Sequence, residues 1–144
     1  MIYLDSSAVV KLIRPEAESA ALAAWLNARR DAPVTSTLAE VEVPRALLRA
    51  APAQLAAMPG VLARIGRVEM DAAVRATAGA YRDPALRSLD AIHLATAELL
   101  VAAGKRVAAF VTYDVRQEEA AAAAGLSTAA PGRGDPDGAR PPAE

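Results

Sequence analysis

The sequence predicts an α/β fold: a three-layer sandwich with a central, mostly parallel sheet and helices on both faces. Three observations lead there. Short apolar runs of strand length alternate with longer stretches of helical periodicity, the pattern of strand–helix–strand units. Two of the runs, "MIYLD" and "KRVAAFVTYD", end on an aspartate, so carboxylates follow strands at widely separated points of the chain. At 144 residues the chain can bury roughly two thirds of its unfolded surface, enough for one independent domain.

Taken in order, "MIYL" reads as a short buried strand from residue 1, and Ser6 or Ser7 caps a helix over "SSAVVKLIRP" that stops before Pro15. Leu22, Trp25, Leu26 and Arg29 fall at three-to-four spacing in "EAESAALAAWLNARR", an amphipathic helix, and "APVTS" offers a second strand. "TLAEVEVPRALLRA" is helical, with Thr37 and Glu40 in capping-box spacing. Pro44 removes a backbone donor there and should kink the helix. "PAQLAAM" and "MDAAVRATAGAY" are helical patterns, whereas "PGVLARIGRVE" between them matches neither period. "SLDAIHLATAELLVAAG" is a helix with Gly104 as its C-cap, and "KRVAAFVTYD" is the clearest buried strand. "QEEAAAAAG" forms the last helix and "STAAP" a final edge strand. "GRGDPDGARPPAE" has almost no large apolar residue and should be disordered, which sets a domain at 1–131 and a tail at 132–144.

Composition excludes several kinds of chemistry. With no cysteine, disulfides, thiolate zinc sites and cysteine nucleophiles are ruled out, and any metal must sit on oxygen or on His93. Lys plus Arg number 16 against 17 Asp plus Glu, so bulk positive charge is not a means of attracting phosphates. One tryptophan, one phenylalanine and three tyrosines are too few for a base-stacking platform. No apolar run approaches the roughly 20 residues of a bilayer crossing. No charged-apolar-small leader precedes "MIYLD", so a soluble, unexported, cytoplasmic protein is expected.

The acids carry the functional signal. Ligands of open parallel sheets bind beyond the carboxyl ends of the strands, where Asp5 and Asp114 should both stand. Glu42 has Leu38 and Ala46 four residues either side, so its helix face turns inward. Glu40 lies about 200° away around that helix and is left its capping role. Asp90 opens its helix with Leu94 and Ala97 at i+4 and i+7, again an inward face. A helix N-terminus favours a carboxylate by at most about 1 kcal/mol, which offsets little. Four gathered carboxylates would repel one another and raise their own pKa values unless a cation held them. Oxygen-only ligation suits Mg²⁺ or Mn²⁺, which keep waters for a phosphate to displace. The chemistry this supports is hydrolysis of a phosphodiester by a metal-activated water, with no side-chain nucleophile. Taken singly, Asp5 and Asp90 also read as helix caps and Asp114 as a turn residue. Caps alone do not explain why all of them should reach one rim.

"MIYLDSSAVVKL", "TSTLAEVEVPRAL", "LRSLDAIHLATA" and "FVTYD", in this order, resemble the PIN-domain ribonucleases of the VapC toxin type, from type II toxin–antitoxin systems. The resemblance spans residues 1 to about 131; "LRSLDAIHLATA" is its most specific piece, and "LDSSA" alone would be weak. It implies a PIN-like sandwich that cleaves RNA with Mg²⁺ or Mn²⁺ held by three or four acids. It also implies a cognate antitoxin protein and a homodimer or larger toxin–antitoxin assembly. By motif, the catalytic, metal-binding acids are Asp5, Glu42 of the "E-x-x-R-A" segment, Asp90 and Asp114. Ser6 matches a position, usually Ser or Thr, that lies beside the metal and contacts phosphate. Glu40 adds a second acid near the expected one, but the "VEVPRAL" register favours Glu42.

Neighbouring residues carry weaker expectations. Arg45 should sit over Glu42 as an ion pair worth a few tenths of a kcal/mol, with RNA contact as its other role. Arg87 stands where it could meet substrate phosphates, although a solvated arginine fits the same pattern. His93 reads as a hydrogen-bonded packing residue and Tyr113 as a packed strand-end tyrosine. Exposed apolar residues such as Trp25 suit a surface that a partner covers. Two other functions remain. An aspartate-nucleophile phosphatase-type domain usually has a second aspartate where Ser7 stands here. A catalytically silent PIN-like interaction module fits less well, because all four acids are retained.

Overall fold

The computed structural model describes residues 1–134, so the expected disorder of the tail lies outside the described residues from 135 onward. Five strands form one parallel sheet in the order β3-β2-β1-β4-β5. They are β1 (Ile2–Leu4), β2 (Pro33–Ser36), β3 (Gly66–Val68), β4 (Ala109–Val111) and β5 (Thr128–Ala129). Between them run α1 (Ser6–Ile13), α2 (Ser19–Asn27), α3 (Ala39–Ala50), a 3-10 turn (Pro52–Ala57), α4 (Met58–Leu62), α5 (Ala72–Ala80), α6 (Ser88–Ala102) and α7 (Val115–Ala123).

The period-two alternation of a strand divides the core. In β1, Ile2 and Leu4 join α1 to α4 on one face, while Tyr3 joins Leu94 and Ala97 of α6 and Ala121 of α7 on the other. Tyr3 stacks on Phe110 of the neighbouring strand with ring centroids 5.1 Å apart. These strands read as continuous apolar runs because helices cover both of their sides. Helix α6 ends as expected: Gly104, at φ +79°, lets its own N–H reach Val101 and that of Lys105 reach Leu100. No helix among the described residues is long and apolar enough to cross a membrane.

Topology fixes where a ligand belongs. From β1 the chain steps outward to β2 and β3, then crosses back to lay β4 on the other side of β1. The crevice beyond the carboxyl ends at such a reversal is the binding position of open α/β sheets. Asp5 follows β1 directly, and Asp114 comes three residues after β4 ends.

The structure departs from the sequence reading at several points. "PGVLARIGRVE" contains α4 and the edge strand β3, and "PAQLAAM" begins as a 3-10 turn. Helix α3 runs unbroken through Pro44. The Thr37–Glu40 capping box does not form, because β3 and the residues after it claim both side chains: Thr37 Oγ1 accepts from the Met70 N–H, and Glu40 pairs with Arg67 of β3 at 2.8 Å. Helix α2 stops at Asn27, and Arg29 folds back over the Trp25 ring at 3.5 Å. Trp25 is thus partly buried against the first core and covered by this chain itself, not exposed for a partner. The first residues of the expected tail, 132–134, form a turn on α2. A Cβ at Gly132 would meet that of Ala21 at 2.9 Å, and Arg133 pairs with Glu118.

Candidate active site

Asp5 caps α1 at the end of the central strand and is only 2% exposed. Its Oδ1 accepts from the Ser7 hydroxyl at 2.6 Å and the Ala8 N–H at 3.0 Å, and its Oδ2 accepts from the Thr112 hydroxyl at 2.5 Å. Burial pushes its carboxyl above the usual carboxylate range, against the opposing pull of His93 and of those donors. No Lys or Arg among the described residues pairs with it. A carboxylate has about four lone-pair positions, so three donors leave one free on Oδ2.

Thr112 ties Asp5 to the next acid, since its hydroxyl also accepts the Asp114 N–H at 3.1 Å. Asp114 caps α7 through Oδ1, which accepts from the N–H groups of Arg116 and Gln117. Its Oδ2 accepts from Arg87 Nη2 at 2.9 Å, while Arg87 Nε donates to Asp90 Oδ2 at 3.1 Å. One guanidinium therefore forks between two acids 24 residues apart in sequence, drawing α6 and α7 to one point. Gln117 adds a bond from its side-chain amide to the Asp90 carbonyl at 3.3 Å.

On the other side of Asp5, His93 organises the fourth acid. The ring is 1% exposed, with Nε2 2.9 Å from Glu42 Oε1 and 3.1 Å from the Ser6 hydroxyl, and Nδ1 2.8 Å from the Tyr3 hydroxyl. An ionised carboxylate only accepts, so the Nε2 N–H donates to Glu42. His93 is the buried packing residue expected of it, and it also aims Glu42. Because His93 takes Glu42, the expected Arg45–Glu42 ion pair is absent among the described contacts, and Arg45 points into solvent. Glu40 turns the other way, toward β3.

Hydrogen bonds thus join the four acids into one region. Asp5, Thr112, Asp114, Arg87 and Asp90 form one line, and Ser6, His93 and Glu42 form the other, beginning beside Asp5. As they stand, however, no three Asp, Glu or His side chains among the described residues surround a single point that could hold a metal ion. Arg87 occupies the facing oxygens of Asp90 and Asp114, and His93 holds one oxygen of Glu42. The donor chemistry nevertheless fits a hard cation: all ligands are carboxylate oxygens, one is buried without a cationic partner, and two already face a positive charge. Thr112 and Gln117 are supporting residues that sequence reasoning passed over, whereas Ser6 and Ser7, expected to cap α1, yield that position to Asp5, and Ser7 donates to it instead. The one available signal was a hydroxyl, Thr112, at the end of an otherwise apolar strand.

A five-stranded parallel sheet with acids at its reversal defines a class, and the chain belongs to the PIN-domain family, whose model matches residues 2–123. It is 54% identical over 134 residues to Ribonuclease VapC35 of Mycobacterium tuberculosis, covering 92% of this chain and 98% of that one. Its fold is similar to that of M. tuberculosis VapC20, described as a sarcin-ricin loop cleaving toxin. That match has a TM-score of 0.70 at 16% identity and covers 91% of this chain and 100% of the other. A toxin–antitoxin complex from Klebsiella pneumoniae matches with a TM-score of 0.59 at 19% identity, over 81% of this chain and 89% of the other.

Proposed function

We propose that this chain is a divalent-metal-dependent endoribonuclease, the toxin of a toxin–antitoxin pair, with Asp5, Glu42, Asp90 and Asp114 as its catalytic, metal-binding acids. The observation that carries the reading is the meeting of four acids from four segments at the sheet reversal, with Asp5 buried there and paired with no Lys or Arg among the described residues. Close likeness to a chain named as a ribonuclease supports the reaction class. The toxin–antitoxin neighbour supports a cognate antitoxin as partner, and RNA as substrate fits a cytoplasmic site of action. A homodimer, alone or within a larger toxin–antitoxin assembly, completes the reading.

Asp5, Glu42, Asp90 and Asp114 would hold Mg²⁺ or Mn²⁺ once Arg87 turns outward. A divalent ion held there would supply charge stabilisation at the scissile phosphate and lower the pKa of a water. The chain's own residues do the positioning. Three donors fix the direction of Asp5's remaining lone pair, and His93 leaves one oxygen of Glu42 free to orient the attacking water. Arg87, released from the acids, is placed to meet a phosphate, whose oxygens its fork matches as it matches carboxylates. Ser6, at the inner end of the site, has a hydroxyl within reach of a bound phosphate oxygen.

The test is digestion of a synthetic RNA by the purified chain, with Mg²⁺ and with EDTA in its place, alongside Glu42→Gln and Glu40→Gln. Cleavage that EDTA abolishes, that Glu42→Gln loses and that Glu40→Gln keeps is the expected result. Full activity in EDTA, or in Glu42→Gln, would overturn the assignment.

A further inference from the structure

A groove of about 540 Å³ lies between α1 and α3, and Ser6 and Glu42, the latter one of the four acids, are among its lining residues. Arg45 and Arg49 line it three and seven residues after Glu42, on the same face of α3 and one helical turn from each other. Both are exposed, and neither pairs with a carboxylate of any described residue. Other charges of the groove are satisfied within the chain. Lys11 lies between Glu16 at 2.7 Å and Glu18 at 2.9 Å, and Glu42 is held by His93. Two guanidiniums unpaired among the described residues therefore dominate the groove of a protein whose formal net charge is −1. Val41 and Leu89 stand beside them, 61% and 47% exposed.

We propose that this groove is the RNA track of the site, an inference that rests on the ribonuclease reading above. Arg45 and Arg49 anchor backbone phosphates leading away from the scissile one, and Val41 and Leu89 seat the bases. Grooves that hold single strands combine cations along the backbone with apolar faces for the bases. The cations here continue the line that begins at Ser6 and Glu42, so a strand with one phosphate at the acids runs directly over them. Phosphate contacts position a substrate without reading its sequence, so the track sets affinity and register for every RNA alike. It also gives a chain without excess positive charge two neighbouring cations, paired with no described carboxylate, beside Glu42.

The experiment measures KM and kcat of the wild-type chain, of Arg45→Gln, of Arg49→Gln and of the double variant on a single-stranded RNA oligonucleotide across a range of KCl. Glutamine is a good helix former, so at these exposed positions the melting temperature should not move. Each lost phosphate contact should remove about 0.7 from the log–log salt slope, and hence about fivefold in affinity at roughly 0.1 M salt. The double variant is expected to lose about 1.4 in slope and about 25-fold in KM at that salt, with kcat unchanged, and the loss should be the same for unrelated sequences. Arg45→Lys with Arg49→Lys should retain most of the slope. If wild type cleaves RNA and the double variant keeps its KM and slope, the proposal is overturned. The same holds if the double variant instead loses only antitoxin binding, which would make the groove a peptide site. A wild-type chain that cleaves no RNA in Mg²⁺ would sink the ribonuclease reading itself, and the track with it.

Discussion

Replacing His93 with alanine should destabilise the fold by about 3–5 kcal/mol, a large share of the roughly 5–15 kcal/mol that holds a domain together. The ring is 1% exposed and lies edge-on to Tyr3, with centroids 5.9 Å apart. Truncation leaves a cavity, and large-to-small core substitutions cost about 2–5 kcal/mol. It also removes the partner 2.8 Å from the fully buried Tyr3 hydroxyl, at a further cost of about 1–3 kcal/mol, toward the lower end because Thr96 and Ser36 also bond that hydroxyl. Ser6 and Glu42 are closer to solvent and can turn to water, so they add little. The lower halves of the two ranges sum to about 3–5 kcal/mol. Urea unfolding followed by circular dichroism measures the difference, and His93→Gln, which keeps a donor for Glu42, should recover part of it. A loss below about 1 kcal/mol for His93→Ala would refute the view that this ring joins α6 to α1 and α3.

Three further outcomes follow from the same geometry. Asp5→Asn should keep the fold, because its amide oxygen still accepts from Ser7 and Ala8 and the Thr112 hydroxyl can rotate to accept, yet it should abolish cleavage. In thermal scans, wild type should gain about 2.7 kcal/mol from Mn²⁺ at 100 times its dissociation constant, and Asp5→Asn should gain nothing; equal gains would refute the ligand assignment. Without metal, the raised Asp5 carboxyl means the folded state favours the protonated form. Stability is then fullest below its ordinary value of 3.8 and declines as pH climbs through the folded-state pKa, a decline the Asn variant should lack. Arg87→Ala frees Asp90 and Asp114 and should tighten Mn²⁺ binding by about two- to tenfold in calorimetry, as expected for loss of two partly exposed ion pairs; weaker binding would contradict a competing role. Burial raises all three tyrosines, with Tyr113 pushed up to about 12 and Tyr3 and Tyr81 also moved upward. Phenol absorbance should therefore stay flat through pH 10.0, the ordinary value, and rise together with alkaline unfolding, since each raised phenol contributes stability below that value that is lost at higher pH. Early ionisation of even one tyrosine would show that its burial is overstated.

What the sequence made legible was whatever leaves a local signature. Strand β1 is an unbroken apolar run closed by a capping aspartate, and α6 carries its Gly104 terminus openly. Strand β3 had no such signature: it is a three-residue edge strand containing Gly66 and the exposed Arg67, with little apolar face to alternate. Two misplaced contacts have a common cause. Glu40 and Arg45 were assigned partners on their own helix, and in both cases a residue far along the chain intervened, Arg67 for Glu40 and His93 for Glu42. Helical spacing states which side chains share a face but not what the opposite element brings to it. That the four acids share a rim was readable from strand ends and helix faces. The two lines of hydrogen bonds through Thr112 and His93 were not, because they depend on the reversal between β1 and β4.

The most direct test of the metal-centred account is an anomalous difference map, recorded at the manganese edge, from crystals of the chain soaked in Mn²⁺. The account predicts a peak among Asp5, Glu42, Asp90 and Asp114, with the Arg87 side chain swung away. A map with no peak beside Asp5, with Arg87 still forked between Asp90 and Asp114 at saturating Mn²⁺, would contradict it.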